Sequence, residues 1–496
     1  MAELTGGHLV ARTLRQAGVR HVFTLCGGHI LPIYDGCLSE NVAVVDVRHE
    51  QAAAHAGDAY ARLTRGIGVA LVVPGPGVTD AVTGVANAYA ARSPLLLIGG
   101  AAPLGLRGLG ALQETEQVAL LRPITKGAWS VAETRQIPEV LTTAIRTALS
   151  GRPGPVFVEI PVDLLLAAVE DRLAPIPTGY VHRPRGAADP DGLALLETLL
   201  ADAERPVVMA GGGVYWDDAA KSLALFAERA GAPVFMNGAG RGVLGTDHPN
   251  AFFHTRGWAL GHADVVLVLG TPLDFRLGYG RPPTFAEDAR VAMIDVDPVE
   301  LGRNRPLELG ISGDIDIILR QLVDALPKGL PDRVAPWLAE LRRREGEARG
   351  KLDELAATDA RPISHYRWAR EIAGAVTRDT IVVGDGGDVV NCVAKFVPVD
   401  RRGSGSIPAR SAASASVRRS PSRRSCSART SACCWCPATA PSGSTAWSWR
   451  RPCGSGCRSR ASSATTAAGA RSAAHKCRSS ARRGRWPPRC RRPATT

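Results

Sequence analysis

Short apolar runs alternate with amphipathic helical patterns along the first 170 residues. The runs HVFTL, VAVVDV, GVALVV, PLLLIGG and GPVFVEI are aliphatic and end near polar residues or glycine, which predicts buried strands. Between them, HLVARTLRQAG and EQAAAHAGDAYAR have apolar residues at helical spacing, and Gly18 ends the first helix. Strands alternating with helices predict a doubly wound parallel sheet, in a domain over residues 1–168.

The same alternation begins again after a polar, Pro- and Gly-rich linker, TGYVHRPRGAADPDG. The runs RPVVMAGGG, APVFMNG, ADVVLVLG, RVAMIDVDP and LGISGD predict a second α/β domain over residues 185–326. A charged helical connector, WLAELRRREGEARGKLDELAA, then leads to DTIVVGDGGD, a strand that enters a Gly-rich turn. We interpret residues 360–400 as the start of a third domain, which gives a three-domain α/β architecture.

The alternation stops at about residue 400. Residues 401–496 contain no Asp, Glu, Asn, Gln, Leu, Phe or Tyr, but they hold 20 Arg, one Lys and 8 of the 11 Cys. A segment without Leu or Phe cannot bury enough apolar surface to offset its conformational entropy. We therefore expect a disordered Arg/Ser/Ala-rich tail in place of the rest of the third domain. The formal net charge of +13 combines −8 from residues 1–400 with +21 from this tail.

A one-base shift of reading frame turns parts of the tail into protein-like sequence. With GC-rich codons, RGSGSIPARSAAS permits PGQWLDPGPFGCL, and two later stretches permit GDGAFGLNGMELETAVRFG and GNDGGWGAIR. We interpret the tail as the product of a frameshift. The alternative is a non-catalytic protein whose basic tail binds nucleic acid through phosphates. Because the tail lacks interleaved Lys, regular dipeptides and Gly–aromatic repeats, we expect no nucleic acid partner.

The cysteines and the apolar runs bear on the compartment. Residues 1–400 contain only Cys26, Cys37 and Cys392, which suits a reducing environment without disulfides. No basic leader with an apolar core is visible at the N-terminus, and no apolar run reaches membrane-spanning length. We expect a cytoplasmic protein without a membrane partner.

Gly-rich turns follow several of the predicted strands, where parallel sheets place ligands. Glycine lets the backbone approach a ligand closely and directs N–H groups at anions. None of these turns fits a dinucleotide G-x-G-x-x-G or a P-loop, and each alone is equally a tight turn. Glu50 directly follows VAVVDV and opens a helix, where a carboxylate can also simply favour the helix N-terminus. The glycines concerned are Gly27, Gly28, Gly75, Gly211 and Gly212.

Ordered motifs over residues 5–400 resemble the thiamine-diphosphate enzymes, and most closely the acetolactate synthase-like subgroup, which also contains 2-hydroxyacyl-CoA lyases. VFTLCGGHILPIYDG, VDVRHEQAAAHAGDAYAR, VPGPGVTDAVTGVANAYAARSPLLLIGG, GALQETEQ and GPVFVEIPVDLL resemble the pyrimidine-binding domain. MNGAGRGVLGTDHP, ADVVLVLGTPLDFRLGYG and MIDVDPVELGRNRP resemble the central domain. The resemblance implies decarboxylation and carboligation of a 2-keto acid such as pyruvate, by a homodimer or homotetramer. The alternative is a 2-hydroxyacyl-CoA lyase or another decarboxylase of this fold.

The resemblance also implies roles for individual residues. In the family, the glutamate that matches Glu50 hydrogen-bonds N1′ of the cofactor pyrimidine, and the glutamine that matches Gln113 lies near the reacting centre. Gly27 and Gly28 match a loop beside the cofactor, and Gly75 and Asn87 match positions at the same junction. His29 and His49 are candidate acid–base groups, with His29 on the substrate side. We expect thiamine diphosphate to bind there.

Two further ligands are implied. Acetolactate synthases hold FAD in the central domain, where Gly211, Gly212, Arg276 and Asp295 match its positions, although LDFR replaces the usual tandem-Asp pattern. The family binds the diphosphate through Mg²⁺, with an Asp and an Asn that the shifted frame would encode over Thr439 and Thr465. The G-D-G within VVGDGGD lacks the required Asn about 26 residues further on. As written, the chain therefore has no predicted metal ligands.

Overall fold

The structure is a computed structural model of an α/β protein whose first compact unit, Met1–Trp435, contains two six-stranded parallel sheets. It describes residues 3–179, 185–377, 380–385 and 387–397, and the short strands 405–408, 413–417 and 433–436. The predicted α/β class with parallel sheets is confirmed. The boundaries of the predicted domains stay predictions.

The N-terminal sheet has the strand order β3-β2-β4-β5-β7-β6, and all its pairs are parallel. Its strands and helices are β1 Glu3–Thr5, α1 Gly6–Gln16, β2 His21–Thr24, α2 Leu31–Ser39, β3 Ala43–Asp46, α3 Glu50–Thr64, β4 Gly68–Val72, α4 Pro76–Ala90, β5 Leu95–Ala101, α5 Gln117–Leu121, β6 Ala128–Ser130, α6 Ile137–Leu149, β7 Val156–Pro161, α7 Val162–Leu166 and β8 Ala168–Glu170. Every residue of β4, β5 and β7 is buried, as the continuous apolar runs predict. The short strands β1 and β8 pair antiparallel outside this sheet.

The central sheet has the strand order β11-β10-β9-β12-β13-β14 and is again parallel throughout. Its elements are α8 Pro190–Ala201, β9 Pro206–Ala210, α9 Gly212–Trp216, α10 Ala220–Ala230, β10 Val234–Met236, β11 Ala251–Phe252, α11 Arg256–Leu260, β12 Val265–Leu269, β13 Arg290–Asp295, β14 Leu309–Ser312 and α12 Ile315–Ala325. Two apolar clusters, one on each face of the sheet, form the core of this region. The core follows from the aliphatic runs of β9, β12 and β13.

A long helix and a short strand–helix unit follow the central sheet. The elements are α13 Leu330–Ala356, α14 His365–Ala375, β15 Ile381–Asp385 and α15 Asp388–Phe396, and the tail contributes β16 Gly405–Pro408, β17 Ala413–Val417 and β18 Cys433–Cys436. β15 pairs antiparallel with β17, which pairs antiparallel with β16. The remainder of residues 398–496, including Thr439 and Thr465, lies outside the described residues.

Candidate active site

The connections of the N-terminal sheet diverge between β2 and β4. β2 leads to β3 on one side, whereas β4 leads to β5 on the other. The loops that leave the carboxyl ends of β2 and β4 therefore separate, and such a point is where ligands bind in open parallel sheets. We call the gap between these loops the N-terminal crevice. The two loops are in contact at one point, where Gly27 packs against Val73. A Cβ added to Gly27 would lie 2.1 Å from Cγ1 of Val73.

Glu50 is the first residue of α3 and lies beside this crevice. Its side chain is only 8% exposed, and it has no hydrogen-bond or ion-pair partner among the described residues. A mostly buried carboxylate without a protein partner is available to accept a hydrogen bond from a group that enters the crevice. Placement at the helix N-terminus, which alone would account for a solvated glutamate, does not supply a directional partner for a buried one.

Glycine lets the turn after β4 approach Glu50 closely. A Cβ added to Gly77 would lie 3.3 Å from Oε1 of Glu50 and 2.7 Å from Cγ2 of Val73. Gly75 precedes α4 with φ of +59°, a conformation that side chains rarely adopt. The turn after β4 therefore requires glycine at two positions. Gly75 adopts a left-handed backbone conformation, and Gly77 lies too close to Val73 and Glu50 for a side chain.

Gln113 and Gln117 lie on the segment after β5, and they have different surroundings. The backbone of Gln113, at φ of +61°, packs on Gly75, where an added Cβ would lie 2.6 Å from the carbonyl oxygen of Gln113. The side chain of Gln117 is buried, and its Oε1 accepts a hydrogen bond of 2.9 Å from the Gly75 amide. The structure thus brings the predicted Gln113 to the crevice and adds Gln117, which the sequence analysis did not single out although GALQETEQ contains it.

His29 lies in a single turn of 3-10 helix, Gly28–Ile30, that leads from the β2 loop into α2. Its Cβ approaches the end of β5, because a Cβ added to Gly100 would lie 2.9 Å from it. Partial burial lowers the pKa of His29 below its usual value, which favours the neutral imidazole. Gly28 is exposed with open space around its Cα, so nothing near it requires a glycine.

His49, Glu50 and Asp80 form the group of described residues that could hold a metal ion, since their ligand atoms lie within 4.8 Å of one another. His49 caps α3, and its Nδ1 accepts a hydrogen bond from the Gln51 amide. In the neutral imidazole, Nε2 then carries the proton, and this atom faces Asp80 at 3.8 Å. A protonated Nε2 cannot ligate a metal, so the geometry favours a His49–Asp80 contact beside Glu50.

Asn87 does not lie at the crevice. It is in the last turn of α4, whereas Gly75 immediately precedes the first turn, which separates them by about 18 Å at 1.5 Å per residue. Its amide donates a 2.9 Å hydrogen bond to Asp58, which is also paired with Arg62. The predicted placement of Asn87 beside Gly75 is therefore corrected to a position that joins α4 to α3.

In the central sheet, the glycines predicted for FAD lie at the corresponding point, where the connections of β9 and β12 diverge. There the two loops are in close contact. A Cβ added to Gly211 would lie 2.2 Å from Cβ of Thr271, and the Gly213 amide donates to the Gly270 carbonyl. Gly212 has more room, with Cβ of Ala239 3.7 Å from an added Cβ.

The charged residues predicted for FAD have partners within the chain. Asp295 is fully buried and accepts a 2.9 Å hydrogen bond from Arg92 of the N-terminal region. Arg276 pairs with both carboxylate oxygens of Asp274. An open pocket of about 370 Å³ lies beside this pair, lined by Pro272, Asp274, Phe275, Tyr279, Arg303 and Asn304. Asp295 thus connects two sheets instead of facing a ligand.

Two other arginines near the carboxyl edge of the central sheet have no acidic partner among the described residues. Arg241 donates to the carbonyl oxygen of Ala394 at 2.6 Å, and Arg256 donates to the carbonyl oxygen of Arg276 at 3.5 Å. Burial, with the neighbouring Arg256, lowers the pKa of Arg241 to about 10. Burial and Arg276 also lower the pKa of Arg256. Crowded guanidinium groups without carboxylates favour an anion.

A parallel-sheet domain with a glycine-lined crevice, and a mostly buried glutamate that lacks a partner among the described residues, is typical of the cofactor-binding α/β enzymes. Residues 4–120 match the family described as thiamine pyrophosphate enzyme, N-terminal TPP binding domain, and residues 193–322 match its central domain. The chain belongs to the thiamine pyrophosphate enzyme family. Its N-terminal domain is therefore of the type that binds thiamine pyrophosphate, also called thiamine diphosphate.

Relatives with two different activities are similar to the chain. An acetolactate synthase large subunit IlvG of Mycobacterium tuberculosis is 37% identical over 398 residues, which cover 79% of this chain and 70% of that protein. The 2-hydroxyacyl-CoA lyase 2 of Homo sapiens is 36% identical over 433 residues, and that of Caenorhabditis elegans is 35% identical over 432, each covering 79% of this chain and 67% of the relative. No helix in the described part of the chain is long and apolar enough to cross a membrane.

Proposed function

We propose that this chain is a thiamine-diphosphate-dependent enzyme of acetolactate synthase type, which decarboxylates a 2-keto acid such as pyruvate and joins the remaining fragment to an acceptor. The observation that carries the proposal is the buried carboxylate of Glu50, which has no partner among the described residues and faces a glycine-lined crevice. A ring nitrogen of the cofactor pyrimidine is the partner that this carboxylate lacks.

Thiamine diphosphate, when bound, supplies the electron sink for decarboxylation. The chain's own residues would orient it. Glu50 would accept a hydrogen bond from protonated N1′ and hold that proton, while the missing side chain of Gly77 leaves room for the ring. Gly75 fixes the turn beside it, and His29 and Gln113 lie next to this turn and the end of β5, where a substrate would enter.

The diphosphate end of the cofactor needs a metal ion and protein ligands for that ion. Mg²⁺ prefers carboxylate and carbonyl oxygens, and the family's metal motif requires an Asp and an Asn, neither of which occurs in residues 401–496. We propose that the chain as written does not hold the diphosphate. The enzyme would be recovered in a restored-frame protein, by which we mean the product of the gene with one base restored at the codon for Arg401.

A homodimer is the oligomeric state that we propose, in a cytoplasmic protein. The segment between β5 and α5 exposes three leucines, Leu106, Leu109 and Leu112, of which the last two are 74% exposed. Glu114 accepts hydrogen bonds from three backbone amides of this segment and so holds it in one conformation. An ordered apolar protrusion beside the crevice suits contact with a second copy, which light scattering of the restored-frame protein would measure.

A second candidate, 2-hydroxyacyl-CoA lyase, is favoured by Arg241 and Arg256. Coenzyme A carries phosphates, and guanidinium groups without carboxylate partners suit them. Binding of coenzyme A to the full chain would test this by calorimetry. Arg241→Met should weaken binding at least tenfold, whereas Arg229→Met, which removes a guanidinium bonded to the carbonyl oxygen of Leu326, should not.

Turnover of the restored-frame protein decides between the candidates. We expect carbon dioxide release from pyruvate, with thiamine diphosphate and Mg²⁺ present, to exceed cleavage of a 2-hydroxyacyl-CoA. Faster cleavage of the CoA ester would instead support the second candidate, a 2-hydroxyacyl-CoA lyase. Absence of both reactions in a folded restored-frame protein would contradict both candidates.

A further inference from the structure

Gln117 connects the ends of three strands through one amide group. Its Oε1 accepts from the Gly75 amide after β4, and its Nε2 donates to the Gly100 carbonyl in β5 at 3.0 Å and to Oε2 of Glu159 in β7 at 2.8 Å. The side chain is 2% exposed, so these bonds replace water entirely. A bridge of this kind fixes the relative positions of the loops at the carboxyl edge of the sheet.

Glu159 extends the bridge to the other side. Its Oε1 accepts hydrogen bonds from Ser130 at the end of β6, at 2.9 Å, and from Arg107 in the segment after β5, at 2.7 Å. Glu159 is 7% exposed, and both of its carboxylate oxygens accept hydrogen bonds within this network. The Gln117–Glu159 bridge therefore joins the ends of β4, β5, β6 and β7 and the Arg107 segment.

The bridge ends at the crevice. The Gly75 amide donates to Gln117, and the Cα of Gly75 packs against the backbone of Gln113. Gly77, two residues further on, lies beside the carboxylate of Glu50. We propose that Gln117 and Glu159 are positioning residues, which hold the Gly75–Gly77 turn and the Gln113 segment at a fixed distance from Glu50. The expected effect on turnover rests on the proposed function, whereas the expected effect on the position of the turn does not.

The orientation of the Gln117 amide makes the inference testable with isosteric changes. Its oxygen must face the Gly75 amide and its nitrogen must face Glu159, because only this orientation satisfies all three partners. Gln117→Glu keeps the acceptor for Gly75 but places a carboxylate against that of Glu159, and the two repel. Adding Glu159→Gln to the same chain restores a donor–acceptor pair between the two side chains, although the Gly100 carbonyl still lacks its donor.

Hydrogen–deuterium exchange on the full chain as written tests the placement directly. In Gln117→Glu we expect peptides that cover residues 73–77 and 104–117 to exchange about tenfold faster, since exchange reports local opening and a bond to a charged group is lost. The double variant should exchange more slowly than Gln117→Glu but faster than the parent, because only the bond between the two side chains is restored and the bond to the Gly100 carbonyl is not. Gln321→Glu is the matched control, because Gln321 also bridges backbone groups, those of Ala188, but in the central region. Unchanged exchange in Gln117→Glu, or a double variant as fast as the single one, would overturn the proposal.

Turnover of the restored-frame protein separates positioning from a purely structural role. We expect Gln117→Glu to lower kcat about 10²-fold with a smaller change in KM, since small misplacement of reacting groups has effects of that size. The double variant should recover part of kcat without a change in melting temperature from the single variant. If kcat of the single variant equals that of the parent while its exchange is fast, the proposal is overturned. If the parent itself lacks turnover, the proposed function fails, and the exchange result still decides the placement.

Discussion

At the scale of single residues, Glu50 carries the strongest chemical expectation. In the restored-frame protein, Glu50→Gln should leave the melting temperature within a few degrees of the parent and lower turnover of pyruvate by about 10²–10⁴-fold. The amide has the shape of the carboxylate but cannot stabilise a protonated ring nitrogen. Glu139→Gln, a change on an exposed first turn of α6, is the matched control. Turnover close to that of the parent would remove Glu50 from the mechanism.

Gly77 tests whether the crevice needs its open space. Gly77→Ala would place a Cβ 2.7 Å from Val73 and 3.3 Å from Glu50. We expect the restored-frame variant to bind thiamine diphosphate at least tenfold more weakly, because the added methyl occupies the space proposed for the ring and forces Val73 to shift. Gly105→Ala is the control, since no atom lies within 4 Å of its added Cβ. Equal cofactor affinity in the two variants, measured by calorimetry, would contradict the proposed position of the ring.

Sequence reasoning reached some of these residues and not others for local physical reasons. Glu50 and Gly75 were identifiable because each lies within four residues of the end of an apolar run that forms a strand, which fixes the edge of the sheet that it occupies. Gln117 was not, because GALQETEQ is irregular in conformation and its spacing does not indicate which glutamine is buried. The displacement of Asn87 follows from the length of α4 and could have been predicted from helix geometry.

At the scale of elements, apolar runs predicted the strands, but not which of them lie at an edge. VAVVDV reads as a buried strand, yet β3 lies at the edge of the sheet and exposes 38% of Val44. Strand order depends on contacts distant in sequence, so the composition of one run cannot reveal it. The helix predicted from Trp337 begins earlier, at Leu330, and contains Pro336 in its second turn. Short strands such as β6 and β11 have too few residues to show a pattern.

Arg92, which follows α4, provides an element-scale prediction about how the two parallel sheets are joined. Its guanidinium donates to Asp295 at the end of β13 and lies 3.2 Å from Glu300, and all three side chains are at most 9% exposed. Arg92→Met should lower the free energy of unfolding by about 3–5 kcal/mol, because it leaves the fully buried Asp295 without its cation, whereas Glu300 keeps Arg152 and Arg303. Arg65→Met, which breaks a pair with the exposed Asp218, should cost at most about 1 kcal/mol. Urea unfolding curves with equal midpoints for the two variants would contradict this ranking.

At the scale of the whole molecule, the chain divides by charge and composition where family resemblance ends. Residues 1–400 are mildly acidic and contain the two parallel sheets, whereas residues 401–496 contain 21 basic and no acidic residues. The pyrimidine end of the cofactor has its proposed partner in the first part. The metal and diphosphate end would need oxygen ligands that the second part does not encode. The two halves of one binding site thus belong to different reading frames in our interpretation.

This division predicts that the chain as written does not bind thiamine diphosphate with Mg²⁺ measurably, although Glu50 is present. Glu50 would contact only the pyrimidine, whereas the diphosphate carries the charge and needs a metal held by carboxylate and carbonyl oxygens. The 20 arginines of the tail could attract diphosphate, but attraction without a metal does not place it in line with Glu50. Restoring one base at the codon for Arg401 should recreate the Asp and Asn over Thr439 and Thr465 and bring metal-dependent binding back.

Calorimetry on both proteins, with thiamine diphosphate in the presence and absence of Mg²⁺, measures this difference. We expect heat of binding only for the restored-frame protein, and only when Mg²⁺ is present. The restored-frame Glu50→Gln variant serves as the matched control, because it should retain metal-dependent affinity for the diphosphate while losing turnover. Weak binding by the chain as written that is indifferent to Mg²⁺ and declines steeply with salt would reflect arginine charge alone. Equal, metal-dependent affinity of the two proteins would mean that the tail functions as it is written and that the frameshift interpretation is wrong.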